Sequence, residues 1–173
     1  MSTAVRVNTH AYAATHVATG LINSLRKIVK SSGLDPARLT GQWTVLEAGI
    51  AAWLESQHLR ALVMEIYDPR LGYGDDLVGR FDFTIDYGYY PNGDGDLWLD
   101  PETVYYTVRK AGSFPSQCDY RFIATTSAGR PDVPGWSTTN LRSTNGFARN
   151  DVGTSIGGGS LGAGLSYYTR TAS

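Results

Sequence analysis

The last 46 residues set the first constraint on this chain. Residues 128–173 hold nine glycines, two prolines and twelve serines or threonines, with no apolar spacing of three and four that would make a helix. Ordinary connections run about 4–6 residues, so a segment of this length is either disordered or ordered by wrapping around the rest of the protein. Trp136, Phe147, Tyr167 and Tyr168 are spaced through it, whereas disordered tails are poor in aromatics. Wrapping is the expectation.

Within this segment the stretch GTSIGGGSLGAG, residues 153–164, carries two catalytic-looking patterns. Gly157, Gly159 and Gly162 spell the dinucleotide-loop spacing, and Ser155 and Ser160 each sit at the centre of G-x-S-x-G. A dinucleotide loop needs a strand before it, a helix after it and an acid about 20 positions on. Eleven residues follow Gly162, with no acid among them. A nucleophile elbow needs an acid and then a histidine downstream, and no Asp, Glu or His follows Ser160. The glycines are read instead as a turn and hinge leading to a terminal strand near residues 165–169.

At 173 residues the chain is expected to be one domain, with a core region 1–127 and the tail 128–173. A net charge of −1 argues against a dedicated nucleic-acid binder, and no direct nucleic-acid contact is expected. Cys118 is the sole cysteine, which excludes an internal disulfide. The start lacks the plan of a signal peptide and no run approaches 18 apolar residues, so the expected location is cytoplasmic, away from membranes.

Coarse elements follow from periodicity. Val5 and Val7 alternate in a short strand over residues 2–9. Ala18, Leu21, Ile22, Leu25, Ile28 and Val29 mark a helix from about Thr15, stopped at Gly33. After a linker (33–42), Thr44 and Glu47 form a capping box for a second helix with Leu46, Ile50, Trp53 and Leu54 on its apolar stripe. A strand then ends at Asp68-Pro69. Residues 77–87 alternate strictly, predicting an antiparallel sheet with one face covered and one wet. YPNGDGDLWLDPE reads as a loop, Asp100-Pro101 as the start of a third helix closed by Gly112, and residues 118–127 as a further strand.

No metal site emerges. Asn92, Asp94 and Asp96 suggest a calcium loop, but Leu97 stands where the sixth-position glycine belongs and Thr103 where the closing Glu belongs. His10 and His16 are six apart with no third ligand. With no cofactor motif either, the inventory points to a binding module rather than an enzyme.

The order strand, helix, helix, hairpin, helix, strand, long Gly/Ser/Thr tail resembles the HORMA-domain family, and within it the bacterial HORMA proteins of CBASS antiphage operons. The segments carrying the resemblance are VRVNTHAYAATHVATGLINSLRKI, SGLDPARLTGQWTVLEAGIAAWLES, LVGRFDFTIDY and GRPDVPGWSTTNLRSTNGFARNDVGTSIGGG. The resemblance implies an α+β fold with three helices on a mainly antiparallel sheet and a C-terminal "safety belt". It implies that a short closure-motif peptide adds as a strand at a sheet edge and is held under the belt. By element order, the peptide-binding residues would be Tyr120, Phe122, Ala124 and Thr126 on the receiving strand, with Trp136 and Phe147 from the belt. The belt's last part would pair beside residues 77–87.

The resemblance further implies partners. A closed HORMA protein would bind and activate a CD-NTase, a synthase of cyclic oligonucleotides. An AAA+ remodelling ATPase would reset it by engaging the N-terminal region, here Thr3, Val5 and Val7. A second HORMA protein is the remaining partner the family allows. Two readings from other classes stand beside this one: a small serine hydrolase using Ser155 or Ser160, and a structural protein that self-assembles by exchanging tails.

Overall fold

The computed structural model describes residues 9–72, 74–89 and 95–171. Three helices pack on one face of a six-stranded sheet whose neighbouring strands are all antiparallel. The elements are α1 (Thr9–Ser31), α2 (Ala37–Glu55), β1 (Leu59–Tyr67), β2 (Leu77–Asp86), β3 (Gly95–Leu99), α3 (Pro101–Ala111), β4 (Asp119–Thr126), β5 (Phe147–Gly159) and β6 (Leu161–Arg170). The strand order is β3-β5-β6-β2-β1-β4, so β4 and β3 form the two edges.

The first helix begins earlier than its strongest periodicity suggested, because Ala13, Ala14 and Val17 extend the buried stripe backwards. The second begins at Ala37 rather than at the Thr44–Glu47 box. Asp35 Oδ1 accepts the Ala37 N–H at 2.9 Å and Pro36 fixes the entry, so Thr44 and Glu47 are exposed mid-helix residues. The third helix starts as expected: Asp100 Oδ1 accepts from Glu102 N at 3.0 Å, Pro101 follows, and Gly112 ends it at φ 81°.

The loop expected before α3 contains a strand. β3 pairs only with β5, and Trp98 lies against Gly157, where a Cβ would come within 2.8 Å of the indole Cε2. Gly162 similarly receives the ring of Tyr89. Gly157 and Gly162 thus make a floor for aromatic rings, while Gly158 lies against Leu97. The turn itself is Gly159-Ser160, between the paired residues Gly158 and Leu161, with Gly159 at φ 57°.

The tail has two parts. Residues 127–146 form an irregular strap, and β5–β6 form a hairpin inserted between β3 and β2. The register Phe81↔Tyr167, Phe83↔Leu165 and Ile85↔Ala163 fixes β6 beside β2. Despite the tail's richness in Gly, Ser and Thr, Ile156, Leu161, Ala163 and Leu165 all belong to the main core. Burial of a single Leu or Ile stabilises by about 1.5–3 kcal/mol, so the hairpin is held firmly. The strand 2–9 lies outside the described residues except for Thr9, which is helical; Thr3, Val5 and Val7 fall there too.

From Gly79 onward, alternation along β2 divides the faces as predicted, with Phe81 and Phe83 in the core beneath the helices; at its start the register breaks between Ile66 and Tyr67, and Leu77, expected on the same face, is buried outside that core beside Ser143 and Phe147. The opposite face is drier than expected. Glu65 on β1 and Asp82 on β2 both point there, and both are buried. Buried carboxylates require paired cations: Asp82 is held by Arg80 of its own strand at 2.7 Å with Arg149 of the hairpin at 3.6 Å, and Glu65 by Arg121 of β4 and Arg142 of the strap.

Candidate functional site

Among the described residues β4 is an edge strand paired only with β1, in the register Met64↔Phe122, Leu62↔Ala124 and Leu59↔Thr126. An edge strand presents alternate N–H and C=O groups outward, which makes it a template for another strand. Among the described residues no backbone hydrogen bond joins β4 to the strap.

The strap passes around this edge from the helix side to the far face. On the helix side it is fixed to α2 by two tryptophans. Trp53 Nε1 donates to Pro131 O at 2.7 Å, Trp136 Nε1 donates to Val45 O at 3.0 Å, and the two indoles meet edge-on with centroids 4.9 Å apart. Gly49 makes this possible. A Cβ at that helical position would lie within 2.5 Å of the Trp136 ring, so its absence lets the indole reach the helix backbone. Arg130 stacks on Trp53 with its guanidinium carbon 4.9 Å from the ring centre.

On the far face the strap is fixed by charge. Arg142 Nη1 donates to Glu65 Oε1 at 2.9 Å and its backbone N–H donates to Oε2 at 2.6 Å. The same guanidinium grips Asp76 through Nε and Nη2 at 3.0 and 3.1 Å, and stacks 4.1 Å from the Tyr67 ring. Arg121 of β4 adds a donor to Glu65 at 2.7 Å and holds Thr139 Oγ1 at 3.0 Å and Asn140 O at 2.5 Å. Burial alone would push the Asp76 carboxyl up, but the hydrogen bonds and charge of Arg142 outweigh it and hold it below the usual 3.8.

Between these two anchor points the strap stands off the β4 edge and leaves two adjoining cavities. One, of about 160 Å³, is bounded by Phe122, Ala124 and Thr126 of β4, by Trp136 and by Arg130. The other, of about 170 Å³, lies on the helix side between Val45, Leu46, Phe122 and Trp136. Four of the six residues expected to touch a peptide are brought together here.

Tyr120 and Phe147 are elsewhere. Tyr120 is buried, its hydroxyl donating to Asp35 O and accepting from Leu39 N at 3.2 Å, so it ties β4 to the start of α2. Phe147 begins β5 and stacks under Arg170 at 4.9 Å beside a separate surface hollow. The sequence did not place Arg130, Val45 or Leu46 beside this edge. The two aliphatics look like ordinary helix-stripe residues, and only their position opposite Trp136 distinguishes them.

The other candidate chemistries find little support. Ser155 Oγ is fully buried without a hydrogen-bond partner, so no base is placed to activate it. Ser160 occupies the hairpin turn. His10 Nε2 sits 2.9 Å from Glu55 O and His16 Nε2 3.0 Å from Trp98 O, at different places on the fold. No group of three or more potential metal ligands occurs among the described residues, of which Asn92 and Asp94 are not part. Among the described residues no helix is long and apolar enough to cross a membrane.

Among the described residues, then, a sheet edge without a backbone partner is passed by a strap pinned on both faces, which is the geometry that strand addition uses. The pattern of the family described as "Bacterial HORMA domain 2" matches residues 2–171. The chain belongs to that family. Similar folds are found in a chain of the mitotic checkpoint complex (TM-score 0.71, 9% identity, 92% of this chain and 99% of the other). The C. elegans protein HTP-1, solved bound to the HIM-3 closure motif, is similar at TM-score 0.69 and 9% identity, over 97% of this chain and 94% of the other. A chain of the E. coli MS115-1 CdnC:HORMA-deltaN complex is similar at TM-score 0.57 and 13% identity, again over 97% and 94%. No curated protein sequence matches this chain.

Proposed function

We propose that this protein is a non-catalytic adaptor that captures a closure-motif peptide along β4, beneath residues 127–146, and in that closed state binds and activates a CD-NTase. The observation that carries the reading is the β4 edge, without a backbone partner on its outer side among the described residues and bordered by cavities beneath a strap anchored on both faces. The position of the β5–β6 hairpin beside β2, away from β4, supports reading this arrangement as closed. That a relative was solved with a closure motif, and another in a CdnC:HORMA complex, supports extending the reading to a CBASS antiphage operon in the cytoplasm. An AAA+ ATPase acting on the N-terminal residues Thr3, Val5 and Val7 completes the proposed cycle.

The test must spare the hairpin. Deleting residues 129–173 would remove Ile156, Leu161, Ala163 and Leu165 from the core and confound folding with binding. Ala124→Arg instead fills the cavity from the β4 side. Wild-type protein should enrich peptides from a displayed random library, and those peptides should raise product formation by a co-purified CD-NTase. Ala124→Arg, with its thermal unfolding unchanged, should do neither. Equal peptide capture by both proteins would rule out β4 as the receiving edge.

A further inference from the structure

Resting on the peptide-capture reading, the chemistry of the two cavities specifies what kind of peptide fits. The cavity on the helix side is walled by Val45, Leu46, Phe122 and the Trp136 ring, and none of its lining residues is charged. The neighbouring cavity has one charged lining residue, Arg130, beside the hydroxyl side chains Ser137, Thr138 and Thr139. Arg130 is held against Trp53, with its side chain 26% exposed. Its ion-pair partner among the described residues is Asp132, 3.6 Å away and fully exposed. An exposed pair of that length is weak, so the cation keeps most of its attraction for an anion entering the cavity.

Phe122, Ala124 and Thr126 share the helix-facing side of β4, and an added strand would set every second side chain opposite that row. A peptide residue beside Phe122 enters the apolar cavity, and one nearer Thr126 comes under Arg130 and the strap hydroxyls. We infer that the peptide recognised by this protein carries a large aliphatic or aromatic residue and an acidic residue, separated by one or three positions, read by the Val45–Leu46–Phe122–Trp136 pocket and by Arg130. The acid is recognised by a charge-assisted hydrogen bond in a partly enclosed site, stronger than the same contact at an open surface. Specificity is thereby divided: backbone pairing along β4 accepts any sequence, and these two cavities select.

The experiment is selection of a displayed random dodecapeptide library on four proteins: wild type, Arg130→Glu, Lys110→Glu and Ala124→Arg. Lys110 lies on the outer side of α3, away from both cavities. Wild type and Lys110→Glu should enrich Asp or Glu two or four positions along the chain from Leu, Ile, Met or Phe, with one or three residues between. Arg130→Glu should keep the apolar preference but exchange the acid for Lys or Arg, and should bind the wild-type peptides about tenfold more weakly, the scale of a lost charge-assisted contact. Enriched peptides with no acidic preference, indifferent to Arg130→Glu, would overturn this inference and leave peptide capture standing. No enrichment by wild type over the folded Ala124→Arg protein would overturn both.

Discussion

Arg142 bonds to Glu65 twice over, through its guanidinium and through its own backbone N–H, on a carboxylate with no exposed surface. The strap is therefore fastened to the sheet at a point where main chain and side chain act together. Removing one partner of a buried pair leaves an uncompensated charge, which costs about 3–5 kcal/mol. Arg142→Ala should lower stability by that order in denaturant unfolding. Amide exchange should accelerate first across residues 137–145, before the helices respond.

Acid should loosen the same fastening. The folded-state pKa of Asp76 is depressed below 3.8, so its contribution is fully present above that value and is lost as pH falls through the folded pKa. Unfolding free energy of the wild type should fall as pH drops from about 4. Asp76→Asn should be less stable at neutral pH and flatter across the acid range; parallel curves for the two proteins would contradict the assignment.

The two glycines of α2 give opposite predictions from the same substitution. Gly41 is exposed, with no atom within 4 Å of a Cβ position, so Gly41→Ala should stabilise by about 0.5–1 kcal/mol. At Gly49 the added methyl collides with Trp136. Gly49→Ala should instead lower stability by about 1–3 kcal/mol, and Trp136 fluorescence should move towards that of a solvated indole.

Tyr120 serves the fold rather than the cavity. Tyr120→Phe removes the hydroxyl that joins Asp35 O to Leu39 N. Leaving those groups short of a partner should cost about 1–3 kcal/mol in thermal or chemical unfolding. Affinity for any peptide selected by the wild type should be unchanged once the protein is folded.

Local chemistry made much of this architecture legible. Three Asp-Pro pairs show where legibility ends. Asp100-Pro101 precedes a clear apolar stripe, and Asp68-Pro69 follows a clear strand; both were read as they fold. Asp35-Pro36 also starts a helix, but it is followed by Arg38, Thr40 and Gly41, whose exposed surface hides the signal, while a capping-box pattern begins at Thr44, eight residues after Pro36. β3 was invisible for a different reason. Its five residues gain strand character only from Gly157 of a segment about sixty positions away. That β4 lies at a sheet edge with Trp136 beside it could be placed by element order. Arg130, Val45 and Leu46 could not, because their role comes from the path of an irregular strap that no periodicity describes.

β3 has β5 as its one sheet neighbour, and the Asp100 N–H at the threshold of α3 is satisfied by Ser155 O at 2.8 Å. Ile156 also fills the notch above Gly20 of α1. If the hairpin leaves β2, the sheet shrinks to β2-β1-β4, and the footing of α3 goes with it. Such a departure is a cooperative, subdomain-scale unfolding event, with a barrier that falls steeply on heating. A hairpin seated this way leaves only by breaking the sheet, so the lifetime of the arrangement is written into strand pairing and core burial rather than into any surface contact.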